Sequence, residues 1–542
     1  MNIFLGEQPL LLLFIVAAVG YLAGKIRIKG SSLGVSAVLF VGLAFGAIDP
    51  SYNVPSIIFE LGLVFFVYSV GLSSGPAFFQ SFKTNGLRDI AFVMVMLTVS
   101  ALVAIGVYFL LDLDVATITG IYAGSTTNTP ALAAVIDYVN NSNLENVSDL
   151  SQSLVVGYTY SYPMGVIGVM IVLKMMERLF KIDYKQEKEL LKKRYPIEEN
   201  LTSRSVKVTN ELVQGKTLRD LNAENGWDVL YGRIDNRDGV SLTNWDTRLT
   251  VGADVMVIGS EENLDIVQAF LGEESAIRIN HNRKEYDVRR IFVSNEDIVG
   301  KSISSLNLQE KYSAIITRIR RGDIDMLAKP DTILEMGDRI RFVARRKDLK
   351  SLGKAFGDSY FKSSQVNLFS FGLGIALGLL LGMIPWYLPG GISFRLGAAG
   401  GPLIVGLLLG ALRRTGPIIW TLPYGANVTL RQMGLIFLLA VIGLKSGNTF
   451  LSSLGQSSGL IIFAGGVLVS MLAAILSILI GYKLFKIPFS LLLGFMSNQP
   501  AILDFATDMT KNKVPLIGYS LMFPIALVMK ILYAQVLFIL LG

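Results

Sequence analysis

The sequence predicts a polytopic α-helical membrane protein: two inverted repeats, each of five transmembrane helices plus one re-entrant hairpin, separated by a soluble α+β insert. Three observations predict it. The 542 residues are 52% hydrophobic and only 17% charged, more apolar and less charged than globular domains usually are. The charge is localised: 62 of the 183 residues from 181 to 363 are charged, against 29 of the remaining 359. Matching motifs also recur in the same order in the two apolar parts.

Composition excludes several classes. The insert holds 32 basic and 30 acidic residues, too balanced for a nucleic-acid surface. With no cysteine there is no disulfide framework and no thiolate metal site. The single histidine, His281, cannot build a zinc or haem site and reads as a solvated linker residue. No cofactor is expected. No nucleophile–base set is visible, so an enzyme is not expected either.

The spans follow in order. A membrane helix needs about 20 apolar residues. The first, 8–24, is followed by Lys25, Arg27 and Lys29, which fits a retained helix with its N-terminus outside rather than a cleaved signal peptide. Further spans fall at 33–48, 55–73, 89–111 and 152–176, then at 366–386, 394–412, 429–446, 459–482 and 516–541. Two apolar segments, 115–138 and 488–509, are interrupted by Gly124-Ser125-Thr126-Thr127-Asn128-Thr129-Pro130 and by Gly494 with Ser497-Asn498-Gln499-Pro500. If 115–138 crossed fully, the charged insert would be displaced to the outside. Each is therefore expected to enter and leave on one side. Basic residues in short loops mark the cytoplasmic face. On this topology the insert is cytoplasmic, both termini are outside, and 14 of the 17 basic residues of the membrane part face the cytoplasm. The exceptions are Arg395, Lys445 and Lys530.

The apolar parts repeat. Gly62-Leu63-Val64-Phe65 through Gly71-Leu72-Ser73-Ser74-Gly75 matches Gly434-Leu435-Ile436-Phe437 through Gly443-Leu444-Lys445-Ser446-Gly447. Gly124 and Asn128-Thr129-Pro130-Ala131 match Gly494 and Asn498-Gln499-Pro500-Ala501. Gly157-Tyr158 and Tyr162-Pro163 match Gly518-Tyr519 and Phe523-Pro524, Gly20/Gly24 match Gly378/Gly382, and Gly42/Gly46 match Gly406/Gly410. The first copy starts outside and the second inside, so the repeats are inverted, as in secondary transporters.

The broken segments carry the candidate site. Irregular backbone persists in a bilayer only where protein or a watery cavity surrounds it. Ser125, Thr126, Thr127, Asn128, Thr129 and Pro130, with Ser497, Asn498, Gln499 and Pro500, are candidates to bind a carboxylate. Helix N-termini after a break suit an anion. Lys530 lies deep in the last span, where an ionisable group costs about 2.5–3.5 kcal/mol or more. It is a candidate anion partner, with a salt bridge to Asp504 or snorkelling as the alternative. Tyr158 and Tyr519 flank the cavity or simply pack. Glu60, Asp504 and Asp508 are candidates for Na⁺ or H⁺ coupling. Arg395 and Lys445 read as snorkelling residues near span ends. The Gly-x-x-x-Gly pairs at 20/24, 42/46 and 406/410 read as helix-packing or dimerisation faces.

The insert repeats too, at an offset of 85. Glu211, Gly215 and Lys216 match Glu296, Gly300 and Lys301; Asp246-Thr247, Gly252 and Leu264 match Asp331-Thr332, Gly337 and Leu349. Strands are expected at Val255-Met256-Val257-Ile258 and Ile340-Arg341-Phe342-Val343, and a strand pair around Arg321-Gly322-Asp323. The domains are membrane half 1–180, linker 181–201, modules 202–278 and 286–356, and membrane half 364–542.

Gly71-Leu72-Ser73-Ser74-Gly75-Pro76-Ala77-Phe78-Phe79, Thr127-Asn128-Thr129-Pro130-Ala131-Leu132 and the central pair of modules together resemble the aspartate:alanine exchanger family of bacterial membrane transporters. The modules resemble TrkA-C domains, the C-terminal domains of potassium-conductance regulators. The resemblance covers essentially the whole chain. It implies electrogenic exchange of amino-acid or dicarboxylate anions such as aspartate and alanine across the bacterial plasma membrane, by a homodimer. The expected mechanism is alternating access by an elevator-type shift of the hairpin-bearing bundle, with TrkA-C modules that stabilise the dimer or sense a cytoplasmic small molecule. Ser497-Asn498-Gln499-Pro500 departs from the Thr-Asn-Thr-Pro of the first half. The alternatives are a Na⁺- or H⁺-coupled organic-acid symporter on the same scaffold, or a TrkA-C-regulated ion channel.

Overall fold

A computed structural model describes residues 5–26, 34–49, 51–84, 86–140, 142, 146–184, 187, 201–236, 239–275, 286–322, 324–387, 393–454, 457–512 and 514–542. Arg27, Lys29, His281 and most of the 181–201 linker lie outside the described residues. The chain divides into two units. One comprises Met1–Ile197, Phe369–Leu412 and Val428–Gly542; the other comprises Glu198–Leu368 and Arg413–Asn427.

The first unit is helical. Its first part holds α1 (Pro9–Gly24), α2 (Ala37–Ile48), α3 (Ser56–Thr84), α4 (Gly86–Leu111), α5 (Val115–Ser125), α6 (Thr129–Asn140) and α7 (Val147–Phe180). Its second part holds α8 (Leu368–Met383), α9 (Gly397–Leu412), α10 (Tyr424–Leu454), α11 (Ser457–Leu479), α12 (Phe489–Met496), α13 (Pro500–Thr510) and α14 (Val514–Leu541). Against the ten spans expected, six helices among the described residues are long and apolar enough to cross a bilayer. Four shorter apolar helices, Pro9–Gly24, Ala37–Ile48, Gly397–Leu412 and Ile525–Leu541, account for the other positions.

Glycines set the helix crossings, and they do so in matched pairs. On α2, a Cβ at Gly42 would press on Gly443 of α10, and one at Gly46 would overlap the Leu444 carbonyl. On α9, a Cβ at Gly406 would press on Gly71 of α3, and one at Gly410 would overlap the Leu72 carbonyl. Each second helix thus crosses the third helix of the other part, through positions that the sequence match had paired. Gly62 and Gly434, matched to each other, meet directly: a Cβ on either would lie 2.8 or 2.6 Å from the other's carbonyl oxygen. Small residues permit such close backbone approach. The Gly-x-x-x-Gly faces at 42/46 and 406/410 therefore pack within the chain.

Both interrupted segments break as the Asn-x-Pro composition dictates. Thr127 sits at φ 49°, and the Asn128 side chain accepts from the Ala131 N–H at 3.0 Å, opening α6. Pro130 and Pro500 fall in the first turn of their helices, where the missing N–H costs nothing. The two first arms differ in length. Gly120 packs on Leu154 and Tyr158 as Gly494 packs on Pro515 and Tyr519. Gly494 therefore takes the packing role of Gly120 rather than of Gly124, its sequence match. Helix α12 has 8 residues and α5 has 11, about one turn more.

The second unit is β-rich. Its strands are β1 (Thr202–Val208), β2 (Leu230–Asp235), β3 (Val240–Leu242), β4 (Asp254–Gly259), β5 (Gly272–Glu274), β6 (Tyr286–Phe292), β7 (Ala314–Arg321), β8 (Ile324–Leu327) and β9 (Arg339–Arg345). The sheets run β3-β2-β4-β1-β5 and β6-β9-β7-β8, one order with an extra edge strand in the first. The offset of 85 recurs bond by bond. Gly215 donates to Leu249 and Gly300 to Leu334; Gly252 donates to Val208 and Gly337 to Val293. The Asn210 side chain donates to Phe270 and that of Asn295 to Ala355, each at 2.8 Å. Gly215, Gly300, Gly252 and Gly337 all hold positive φ, the region where glycine avoids a Cβ clash.

Residues 413–427, the connection after α9 and the first turn of α10, are built into the second module. Arg414 donates to the Glu296 and Val299 carbonyls at 2.7 and 3.0 Å, and Ile419 joins the apolar core of this module. Arg321 forks onto Asp338 at 2.8 and 2.7 Å and reaches Glu335 at 2.6 Å, while Arg413 lies 3.4 Å from Glu335. Burial holds the Glu335 carboxyl above its usual range, against the pull of Arg321 and then Arg413. Removing one member of a buried charge set leaves the others uncompensated, at a cost of about 3–5 kcal/mol. Arg321→Ala is therefore expected to lower the melting transition of this unit by several degrees, read by scanning fluorimetry. Arg321→Lys is expected to fall between, because it loses the fork.

Candidate functional site

The two breaks meet at Lys530. Its amino nitrogen, on α14, donates to the Thr126 carbonyl at 3.2 Å and to the Asn498 side-chain oxygen at 2.6 Å. One acceptor belongs to the first broken segment and one to the second. The residue is 4% exposed. Its bonds go to these groups, not to Asp504, which is exposed.

A cavity of about 20 Å³ lies at this point, room for about one water. Ser125, Thr126, Asn498 and Lys530 line it, joined by Ser100 of α4 and Ser470 of α11. Ser100 bonds back to the Met96 carbonyl at 3.0 Å. The Ser470 hydroxyl is buried without a partner among the described residues. These two serines are separated by 370 residues, the offset that relates Asn128 to Asn498, so a search at that spacing would have found them.

The other expected residues support the breaks rather than line the cavity. Tyr158 is buried and exchanges a 2.7 Å hydrogen bond with Thr129. Gln499 accepts from the Tyr162 hydroxyl at 2.9 Å, a partner not foreseen. Ser497 bonds back to Leu493 at 2.7 Å. The Thr127 hydroxyl is buried without a partner among the described residues. Tyr519 packs in a tilted contact on Phe523, ring centroids 5.1 Å apart. Glu60, Asp504 and Asp508 are exposed and do not line the cavity.

An acidic group holds the start of each first arm. Asp114 accepts from the Thr117 N–H at 2.8 Å. Glu187, in the stretch leading to β1, accepts from the Phe489 and Ser490 N–H groups at 2.7 and 2.8 Å. Both satisfy donors left open at a helix start and complement its dipole. Glu187 sits in a charged run, and nothing local in the sequence points to it.

Broken helices around a buried, partly polar cavity inside an apolar bundle define a membrane transporter, and relatives agree. An uncharacterized transporter of Geobacter sulfurreducens is 45% identical over 98% of both chains. One of Symbiobacterium thermophilum is 42% identical over 98% of both, and one of Corynebacterium diphtheriae 40% over 99% of both. The Asp-Al_Ex family model, described as a predicted permease membrane region, matches residues 12–178 and 370–539, and a TrkA-C domain model matches residues 288–357. The chain belongs to the Asp-Al_Ex permease family and carries a TrkA-C domain.

Proposed function

We propose that this transporter is a secondary exchanger of amino-acid or dicarboxylate anions, of the aspartate:alanine kind, working by alternating access in a bacterial plasma membrane. The observation that carries the reading is the Lys530 amino group held between Thr126 and Asn498. A carboxylate entering here meets a lysine, a side-chain amide and three serine hydroxyls in a buried cavity. An anion within reach favours the charged form of the lysine, and low local dielectric strengthens the pair. The substrate takes the place of the Asn498 and Thr126 acceptors on Lys530. The two broken segments then part on one side or the other.

On this reading the two parts are inverted repeats, and the broken segments are re-entrant hairpins that enter from opposite faces. The crossed glycine pairs and the Gly62–Gly434 contact support it. The bundle of α4 to α7 and α11 to α14 carries the hairpins and shifts against the rest. The module at 202–278 is a second TrkA-C-like copy, as its strand order supports. The insert is cytoplasmic, the termini are outside, and the functional form is a homodimer. The chain has no cysteine, so single-cysteine labelling tests the topology directly. Asp149→Cys is expected to react with an impermeant maleimide from outside only, and Lys483→Cys from inside only. Labelling of both from one side contradicts the inverted arrangement. Uptake that collapses without a cation gradient and needs no internal substrate would favour the symporter instead.

Among site variants, Asn498→Ala removes a hydrogen-bonding group beside a charge. It is expected to raise the half-saturating substrate concentration by about tenfold, read in initial-rate exchange. Asn128→Ala loses the helix cap and is expected to lower the melting temperature as well.

A further inference from the structure

The two modules of the insert meet through matched faces. Strand β2 of the first approaches β7 of the second, and Leu230 of β2 packs on the apolar core of the second module. Lys329 pairs with Asp228 across this contact at 2.9 Å. Both modules line a cleft of about 490 Å³, within the size range of small-molecule sites. Its lining follows the repeat offset of 85. Leu218 and Leu230 stand on one wall where Ile303 and Ile315 stand on the other.

The walls match in position and differ in chemistry. Where the first module has Tyr231, Thr243 and Trp245, the second has Ile316, Ala328 and Pro330. At these positions one wall carries hydroxyls and an indole, the other only aliphatic groups. The Tyr231 and Thr243 hydroxyls are buried without a partner among the described residues. Unpaired buried polar groups are rare and costly, and here both belong to residues that border a cleft. Asn244, Asn307 and Gln309 add amide groups to the lining.

Charge narrows the ligand further. The lining has one basic side chain, Arg219, and two acidic ones, Asp246 and Glu310. Arg219 is held by Asp246 at 3.0 Å. A phosphate or carboxylate would find no free cation among the described lining residues, and such groups are bound strongly where one is present. A flat, uncharged ring with a hydrogen-bonding edge fits both walls. Its face suits the indole and the aliphatic groups, and its edge suits the hydroxyls.

We propose that the two modules together bind an uncharged nucleoside. The base lies between Trp245 and the wall of Ile316, Ala328 and Pro330. Its polar edge takes the Tyr231 and Thr243 hydroxyls as partners, and the sugar hydroxyls meet the amides. The inference is independent of the Lys530 cavity.

The test is isothermal titration calorimetry of the purified full-length protein with adenosine, inosine and cytidine, each compared with its monophosphate. At least one nucleoside is expected to saturate, with its monophosphate at least about tenfold weaker. Trp245→Ala is expected to weaken that nucleoside about tenfold, by loss of stacking. Tyr231→Phe removes only a hydroxyl and is expected to weaken it about fivefold. The melting temperature of ligand-free Tyr231→Phe is expected to hold or rise, because an unpaired buried group has gone. Absence of binding by all three nucleosides overturns the inference, and so does a monophosphate bound as tightly as its nucleoside. Both outcomes are read on wild type and do not depend on either variant folding. A folded Trp245→Ala or Tyr231→Phe protein with wild-type affinity also overturns it.

Discussion

Lys530→Met is expected to abolish exchange while leaving the protein folded. Methionine fills the same path through the bundle without a charge. Removing the cost of burying a charge offsets the donor lost to the Thr126 carbonyl and the Asn498 side chain. The melting temperature is therefore expected to stay within a few degrees of wild type or to rise. Transport is different, because the substrate carboxylate would then enter a buried site with no cation. Losing one partner of a buried charge pair costs about 2–5 kcal/mol, which corresponds to a fall in exchange of at least about 30-fold. Lys530→Arg is expected to recover part of the rate, since it keeps the charge with a different donor geometry. A stable Lys530→Met protein that exchanges normally would move the site elsewhere.

The second large effect concerns folding. A Cβ at Gly75 would overlap the Leu407 carbonyl, and one at Gly447 would overlap the Leu43 carbonyl. Both neighbours are helix backbone, which cannot swing aside as a side-chain tip can. Gly75→Val and Gly447→Val are each expected to cost at least about 3 kcal/mol, the upper end for overpacking. Gly106→Val is the control, because nothing lies within 4 Å of a Cβ there. The first two are expected to lose most of the monodisperse protein in size-exclusion chromatography. The third is expected to keep it. Equal loss from Gly75→Val and Gly447→Val would also reflect the matched roles of α3 and α10.

The helices and the polar breaks were legible in the sequence because both depend on local composition. Long apolar runs make spans, and a Gly, Ser, Thr and Pro cluster inside one ends a helix. Lys530 stood out for a similar reason, as a charge that fits neither lipid nor loop. Ser100 and Ser470 were hidden, since serine is ordinary in membrane helices and becomes informative only when paired at the repeat offset. Glu187 was hidden among the charges of the linker. Asp504 was weighed as a partner of Lys530, yet its exposure on α13 gives it no part in the cavity. Charge count alone does not say which face of a short helix a carboxylate takes. The extra turn of α5 was missed because the sequence match was anchored on Asn128 and Asn498, beyond the length difference. The insert was legible in part: the runs at 255–258 and 340–343 and the pair around 321–323 fall in β4, β9, β7 and β8, because its two copies repeat the same turns at a constant spacing. The hold of residues 413–427 by the second module was not, because those partners are far apart in sequence.

The most direct measurement is substrate counterflow in proteoliposomes reconstituted with the purified chain. Vesicles loaded with unlabelled alanine or aspartate are expected to accumulate labelled amino acid transiently above equilibrium, with no imposed cation gradient. Empty vesicles are expected to show none. Uptake that is equal with and without internal substrate, or absent for every carboxylate tried, would contradict an exchanger built around Lys530.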